Sequence, residues 1–355
     1  MLNNLIRPEF RNFTPYNANQ IPYKIKLDAN ESPFDLPQSV RHKLANWLLE
    51  APELNLYPDT DSIELRNALA EHWGLDPESF VIGTGSDQLI QVLIHLFVGQ
   101  GDKVLCPEPS FSMYKLTTKI AGGIPVDFPL NKEDNYSYPV DNLIEVVNNE
   151  KIKLVFLCTP NNPTGGILPE KDIIRIIENC NDSVIVVDEA YAEFSGETVI
   201  SLVERYQNLV VLRTFSKAYG LAGIRCGYSV SGKEMADQIN KIRPPYNISS
   251  LSQKVAKWVL EEKRELNENI QVIIKERDYL AEVLSEIPDV TVYPSQANFI
   301  LIKVQDVHSM NRRLMDRGIL VRAYGSTPML ENCLRITVGT RPQNDMVVDT
   351  IKSEK

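Results

Sequence analysis

The chain has 355 residues, 43% hydrophobic and 24% charged, enough for roughly two domains around a sizeable core. Its formal charge of −10 opposes non-specific nucleic-acid binding, which needs a basic field, yet leaves room for a local cationic pocket. Five cysteines and four histidines are scattered without metal-ligand spacing, which implies reduced structural thiols, no metal centre and a cytoplasmic setting.

The first ten residues are too polar for a signal segment, and the longest apolar run, near 89–98, is too short to span a bilayer. Residues 1–35 read as an extended, Pro- and Asn-rich arm. Strand-like runs follow at 80–85, 103–108, 153–160, 183–191, 209–216 and 225–230. Most are unbroken Val/Ile/Leu stretches, the pattern of strands buried on both faces. Helical segments at 61–73, 86–98, 110–121 and 169–180 alternate with them. That alternation predicts an α/β fold with a mostly parallel central sheet flanked by helices, filling residues 36–248. A long charged helix from about 249 to 287 leads into a smaller α+β unit. There VTVYPS, FILIKV, ILVRAY and CLRITVGT surround one helix at 306–317, so the second domain is placed at 249–355.

In open α/β sheets, ligands bind beyond the carboxyl ends of the strands. Four polar clusters fall there: Gly85-Ser86-Asp87, Asn161-Asn162-Pro163-Thr164-Gly165, Asp188-Glu189-Ala190-Tyr191 and Thr214-Phe215-Ser216-Lys217. Taken singly, the first is a turn with a helix cap, or else a phosphate cradle of free N–H groups. The second is a loop. Asp188 closes a buried apolar run, where a carboxylate needs a cationic partner, either an arginine or a ligand nitrogen. Lys217 lies before a small-residue turn that Arg225 closes, and an amine desolvated beside another cation loses its proton readily and becomes nucleophilic.

Together NPTG (162–165), DEAY (188–191) and TFSKAYGLAGIR (214–225) resemble the fold type I pyridoxal-phosphate-dependent aminotransferases. TPY (14–16), LDANESP (27–33), LYPD (56–59) and LRITVGTR (334–341) extend the likeness along nearly the whole chain, toward the histidinol-phosphate aminotransferase branch. The resemblance implies pyridoxal 5'-phosphate as cofactor, held covalently by Lys217, which then shuttles a proton. It implies that Asp188 faces the ring nitrogen, that Tyr191 and Asn161 reach the ring oxygen, and that Tyr114 stacks on the ring. Gly85, Ser86, Asp87, Thr214, Ser216 and Arg225 would surround the phosphate, with Tyr57 arriving from the partner of a homodimer. Tyr16, Asn30, Glu31, Arg322 and Arg335 would meet substrate. The reaction implied is amino transfer between L-histidinol phosphate, a small-molecule donor, and 2-oxoglutarate, a 2-oxo acid acceptor. The same lysine, aspartate and phosphate cup also serve decarboxylases of phosphorylated amino acids and broader aromatic aminotransferases. The chain departs from relatives that read Tyr-Gly-Met-Tyr, carrying Phe111-Ser112-Met113-Tyr114 instead.

Overall fold

A computed structural model of the chain describes residues 5–7, 10–11, 21–50 and 53–353. Its centre is a seven-stranded sheet made of β2 (Phe80–Gly83), β3 (Lys103–Glu108), β4 (Ile124–Pro129), β5 (Leu154–Cys158), β6 (Val184–Asp188), β7 (Leu209–Thr214) and β8 (Gly227–Ser231). The spatial order is β2-β8-β7-β6-β5-β3-β4. Neighbours from β7 to β4 pair in parallel, and β8 runs antiparallel to both β7 and β2.

Parallel pairing follows from the apolar runs. On β5, Val155 and Leu157 enter one buried cluster while Leu154 and Phe156 enter another, so both faces are covered. Helices supply the cover, including α1 (Gln38–Leu49), α2 (Ile63–Trp73), α3 (Gly85–Phe97), α4 (Met113–Ala121), α5 (Val140–Asn149), α6 (Glu170–Asn179) and α8 (Lys233–Ile242). The short α7 (Ala192–Ser195) continues the chain beyond β6.

The expected single helix beyond residue 249 is two, α9 (Ser250–Glu261) and α10 (Lys263–Ser285), which break at Glu262. α9 packs against α1 and α2 beside the larger sheet. The smaller sheet has the order β1-β11-β12-β10-β9, from β1 (Ile25–Leu27), β9 (Thr291–Val292), β10 (Phe299–Lys303), β11 (Ile319–Ala323) and β12 (Cys333–Thr337). α11 (Val307–Asp316) and α12 (Arg341–Lys352) complete it. Part of the expected N-terminal arm is therefore an edge strand, with β1 paired in parallel to β11. Among the described residues no helix is long and apolar enough to cross a membrane.

Candidate active site

The parallel strands all end at one edge of the larger sheet. Register aligns Cys158 on β5 with Asp188 on β6, and β7 finishes alongside at Thr214. A cleft of about 770 Å³ opens at that edge, between the two sheets. Lys217, Asp188, Tyr191, Thr214, Ser216, Arg225, Gly85, Ser86 and Asp87 all line it, and so do Asn30, Glu31, Arg322 and Arg335. Four loops separated in sequence thus meet in one place.

One end of the cleft is built to receive an anion. β2 runs into α3 through Gly85, whose φ of +74° suits glycine. A Cβ on Gly227 would stand 2.5 Å from the Ser86 nitrogen, so only glycine lets β8 pass the start of α3 so closely. The first N–H groups of α3 have no partner within the helix and carry its positive end. Arg225 adds a guanidinium 3.4 Å from Asp87, and the Thr214 hydroxyl donates to Ser216 Oγ at 3.1 Å.

Asp188 lies deeper and is only 3% exposed. Its Oδ2 accepts from the Tyr114 hydroxyl at 2.5 Å, and its Oδ1 accepts from the Ala190 N–H at 3.2 Å. Burial pushes the carboxyl up to about 6, against the pull of the Tyr114 hydrogen bond. Lys217 Nζ donates to the Ala29 carbonyl at 2.8 Å and stands 5.9 Å from the centre of the Tyr191 ring. Burial, and then the charge of Arg335, bring its amine down to about 8. An acid that seeks a cation and an amine that sheds its proton share one cleft.

The opposite wall comes from the smaller sheet. Arg322 on β11 and Arg335 on β12 are directly opposed in an antiparallel pair, so both project on one face. Both also line the cleft, so two cationic side chains from one face make it favourable to an anion. Arg335 is held by the Asp28 carbonyl at 2.7 Å and by Asn162, and its Nε is buried without a partner among the described residues.

Several expectations need correction. Tyr114 does not face the cleft: it is fully buried, stacked on Phe156 at 4.3 Å, with its hydroxyl on Asp188. Phe111 lines the cleft instead, because α4 starts at Met113 and leaves Phe111 in the loop before it. Asn161 is also turned away. Its amide donates to the Pro109 carbonyl and Thr164 Oγ1, and it accepts from Ser110, while Asn162 lines the cleft. Asn30 sits in the wall and donates to the Tyr191 hydroxyl at 2.9 Å. Glu31 is engaged by Lys26 at the cleft mouth. The expectation for Tyr57 concerns a second copy of the chain and is not among these corrections: in this chain it lies outside the cleft, 80% exposed and stacked on Tyr246 at 4.5 Å. Tyr16 lies outside the described residues. Sequence reasoning missed Asp28, Ser110, Tyr324, Thr327 and Leu330, which also line the cleft. Phe111 and Asn162 had a signal, since Asn162 directly follows Asn161, and Phe111 stands three positions before Tyr114 in the same motif.

The profile of the aminotransferase class I and II family matches residues 22–351. The chain is similar to the histidinol-phosphate aminotransferase of Ruminiclostridium cellulolyticum, 54% identical and covering 99% of this chain and 98% of the relative. It is similar to the enzyme of that name from Pyrococcus furiosus at 39% identity, covering 98% and 97%. Among solved structures, the histidinol-phosphate aminotransferase of Sinorhizobium meliloti in complex with pyridoxal-5'-phosphate superposes with a TM-score of 0.89. It is 26% identical and covers 98% of this chain and 96% of that one.

Proposed function

The chain belongs to the aminotransferase class I and II family, and from that premise we propose that it moves an amino group between L-histidinol phosphate and 2-oxoglutarate, in histidine biosynthesis, with pyridoxal 5'-phosphate as cofactor. One observation carries the substrate reading. The opposed Arg322 and Arg335 form a cationic wall facing Lys217 and Asp188, which suits a small substrate with an anionic group. Both substrates meet that demand, one by its phosphate and the other by a carboxylate.

The residues present fit the cofactor. A buried carboxylate with a raised pKa needs a positive partner, which a protonated pyridine nitrogen supplies. The start of α3 with Arg225 and Ser216 makes a phosphate cup, lined closely because Gly227 carries no side chain. When bound, the cofactor supplies an aldehyde that takes up the amino group and a ring that withdraws electrons from the substrate carbon.

The chain's own residues do the rest. Lys217 would hold the cofactor covalently, and its Nζ, once free, would be the base that takes a proton from the substrate carbon and gives it back in the transfer. Its lowered pKa makes the neutral amine available near neutral pH. Asp188 would keep the ring nitrogen protonated, and of the other residues lining the cleft, Tyr191 and Asn162 would donate to the ring oxygen and Phe111 would cover one ring face. Arg335 grips the substrate anion through a planar fork, and Arg322 adds charge beside it. Glu31, at the mouth and paired with Lys26, is the carboxylate we assign to the imidazole.

Tyr57 belongs in this scheme through a second copy of the chain. It is exposed and stacked on the exposed Tyr246, and Leu49, Leu54, Leu56 and Ile63 are exposed too, apolar side chains that suit burial in a homodimer. The test compares glutamate formation from L-histidinol phosphate with that from L-phenylalanine, both with 2-oxoglutarate. The reading expects kcat/KM at least about tenfold higher for histidinol phosphate, since two guanidinium groups engage its phosphate. Equal values would remove the substrate assignment.

A further inference from the structure

The geometry points to Tyr114 as a positioning residue that governs cofactor affinity through Asp188. The inference rests on the cofactor reading given above. Tyr114 sits in the first turn of α4, fully buried, with its ring flat against Phe156 at an interplanar angle of 9° and edge-on to Phe111. These contacts fix the ring so that its hydroxyl meets Asp188 Oδ2 at 2.5 Å. With Ala190 N–H on Oδ1, both carboxylate oxygens are tied and the carboxylate plane is set. Burial and the Asp188 charge hold the Tyr114 hydroxyl well above its usual range, so it remains a donor.

Charge around Asp188 otherwise disfavours its ionised form. Asp87 at the start of α3 and Glu189, the next residue on its own strand segment, both push its pKa up. Cys158 on β5, Tyr138 ahead of α5 and Tyr191 beyond β6 are buried neutral neighbours, and Lys217 shares the cleft. Tyr114 is therefore the principal side chain that keeps Asp188 ionised before any ligand arrives. Its loss leaves the carboxylate more readily protonated, and a protonated acid offers no charge to a ring cation.

Equilibrium dialysis of the full chain against pyridoxal phosphate, from pH 5 to 9, tests this. Wild-type affinity should fall as the pH drops through about 6, where Asp188 takes up a proton. Tyr114→Phe should bind about tenfold or more weakly at pH 7, with that fall displaced upward by about one pH unit. Titration of the cofactor itself is common to both proteins and cancels in the comparison. Adding Tyr114→Phe to Asp188→Asn should cost much less than it costs alone. A Tyr114→Phe protein with unchanged affinity and pH dependence overturns the inference, and so does an equal loss in the Asp188→Asn background. Wild-type protein that fails to bind pyridoxal phosphate overturns the cofactor reading instead.

Discussion

Arg335, at the middle of β12 in the smaller sheet, donates through Nη1 to the side-chain oxygen of Asn162 at the edge of the larger sheet. One hydrogen bond thus joins the wall proposed to meet substrate to the loop proposed to meet the cofactor. Arg335→Ala should lower kcat/KM by about 100-fold for histidinol phosphate and for 2-oxoglutarate alike, as expected when one partner of a buried charged contact is removed. Arg335→Lys should recover only part of that, because an ammonium cannot form the planar fork. Steady-state kinetics with each substrate varied in turn decides the matter. A loss confined to one substrate would contradict a shared anion site.

The two adjacent asparagines should separate cleanly. Asn161 holds the Pro109 carbonyl, Thr164 and Ser110, all within the fold. Asn161→Ala should therefore cost stability, about 1–3 kcal/mol for the buried groups left without partners. Asn162→Ala removes only the one acceptor for Arg335, so it should cost less stability than Asn161→Ala and chiefly lower kcat. Thermal unfolding and turnover measured on both variants check this. The reverse pattern would return the ring contact to Asn161.

Lys217 makes the pH dependence of cofactor capture predictable. Its amine is depressed to about 8, so about 10% is neutral at pH 7, against about 0.03% for an ordinary lysine, a gain of about 300-fold. The rate of covalent capture of pyridoxal phosphate by the cofactor-free chain should rise up to about pH 8 and then level off. The stability sign follows from the same shift. The penalty on the charged amine is absent above the unfolded value, grows as the pH falls, and is complete below about 8. In Arg335→Ala the rate plateau should move to higher pH, because the Arg335 charge is the second cause of the depression. Stopped-flow absorbance across pH 6–10 reads this directly, and a rate still climbing at pH 10 would contradict it.

Behind the sheet, Arg213 and Glu189 form a fully buried pair at 2.6 Å, extended by Glu193 at 2.9 Å and by Trp73 beneath the guanidinium. Glu189 also accepts from Thr198 and the Val199 N–H. Arg213→Met should destabilise the fold by about 3–5 kcal/mol, since it strands two acids in the interior. Chemical denaturation of the cofactor-free protein measures that cost. A loss below about 1 kcal/mol would mean that the acids find other partners.

The larger sheet was legible because burial on both faces leaves unbroken apolar runs, as in Leu154–Cys158 and Val184–Asp188. The strand-end clusters were legible for the same reason, as polar residues closing such runs stand out. β4 and α5 left weaker traces: β4 lies at the sheet edge with Ile124 exposed, so its pattern mixes polar and apolar residues. The break at Glu262 could not be read, since Glu and Lys on either side favour helix equally. Phe111 was passed over because the motif likeness gave the ring-stacking role to Tyr114, the last residue of Phe111-Ser112-Met113-Tyr114, whereas α4 starts at Met113 and leaves Phe111 in the loop that faces the cleft. Asn161 and Asn162 are chemically identical, and only the backbone path decides which one turns inward. The pairing of Arg322 with Arg335 depends on strand register, which neither segment specifies alone.

The half-reaction tests the central claim most directly. Purified chain loaded with pyridoxal phosphate is mixed with L-histidinol phosphate, without 2-oxoglutarate, and its absorbance is followed. The account predicts stoichiometric conversion to the pyridoxamine form, and no conversion in Lys217→Ala. Conversion at the wild-type rate in Lys217→Ala, or release of carbon dioxide from an amino-acid phosphate with no conversion by histidinol phosphate, would contradict it.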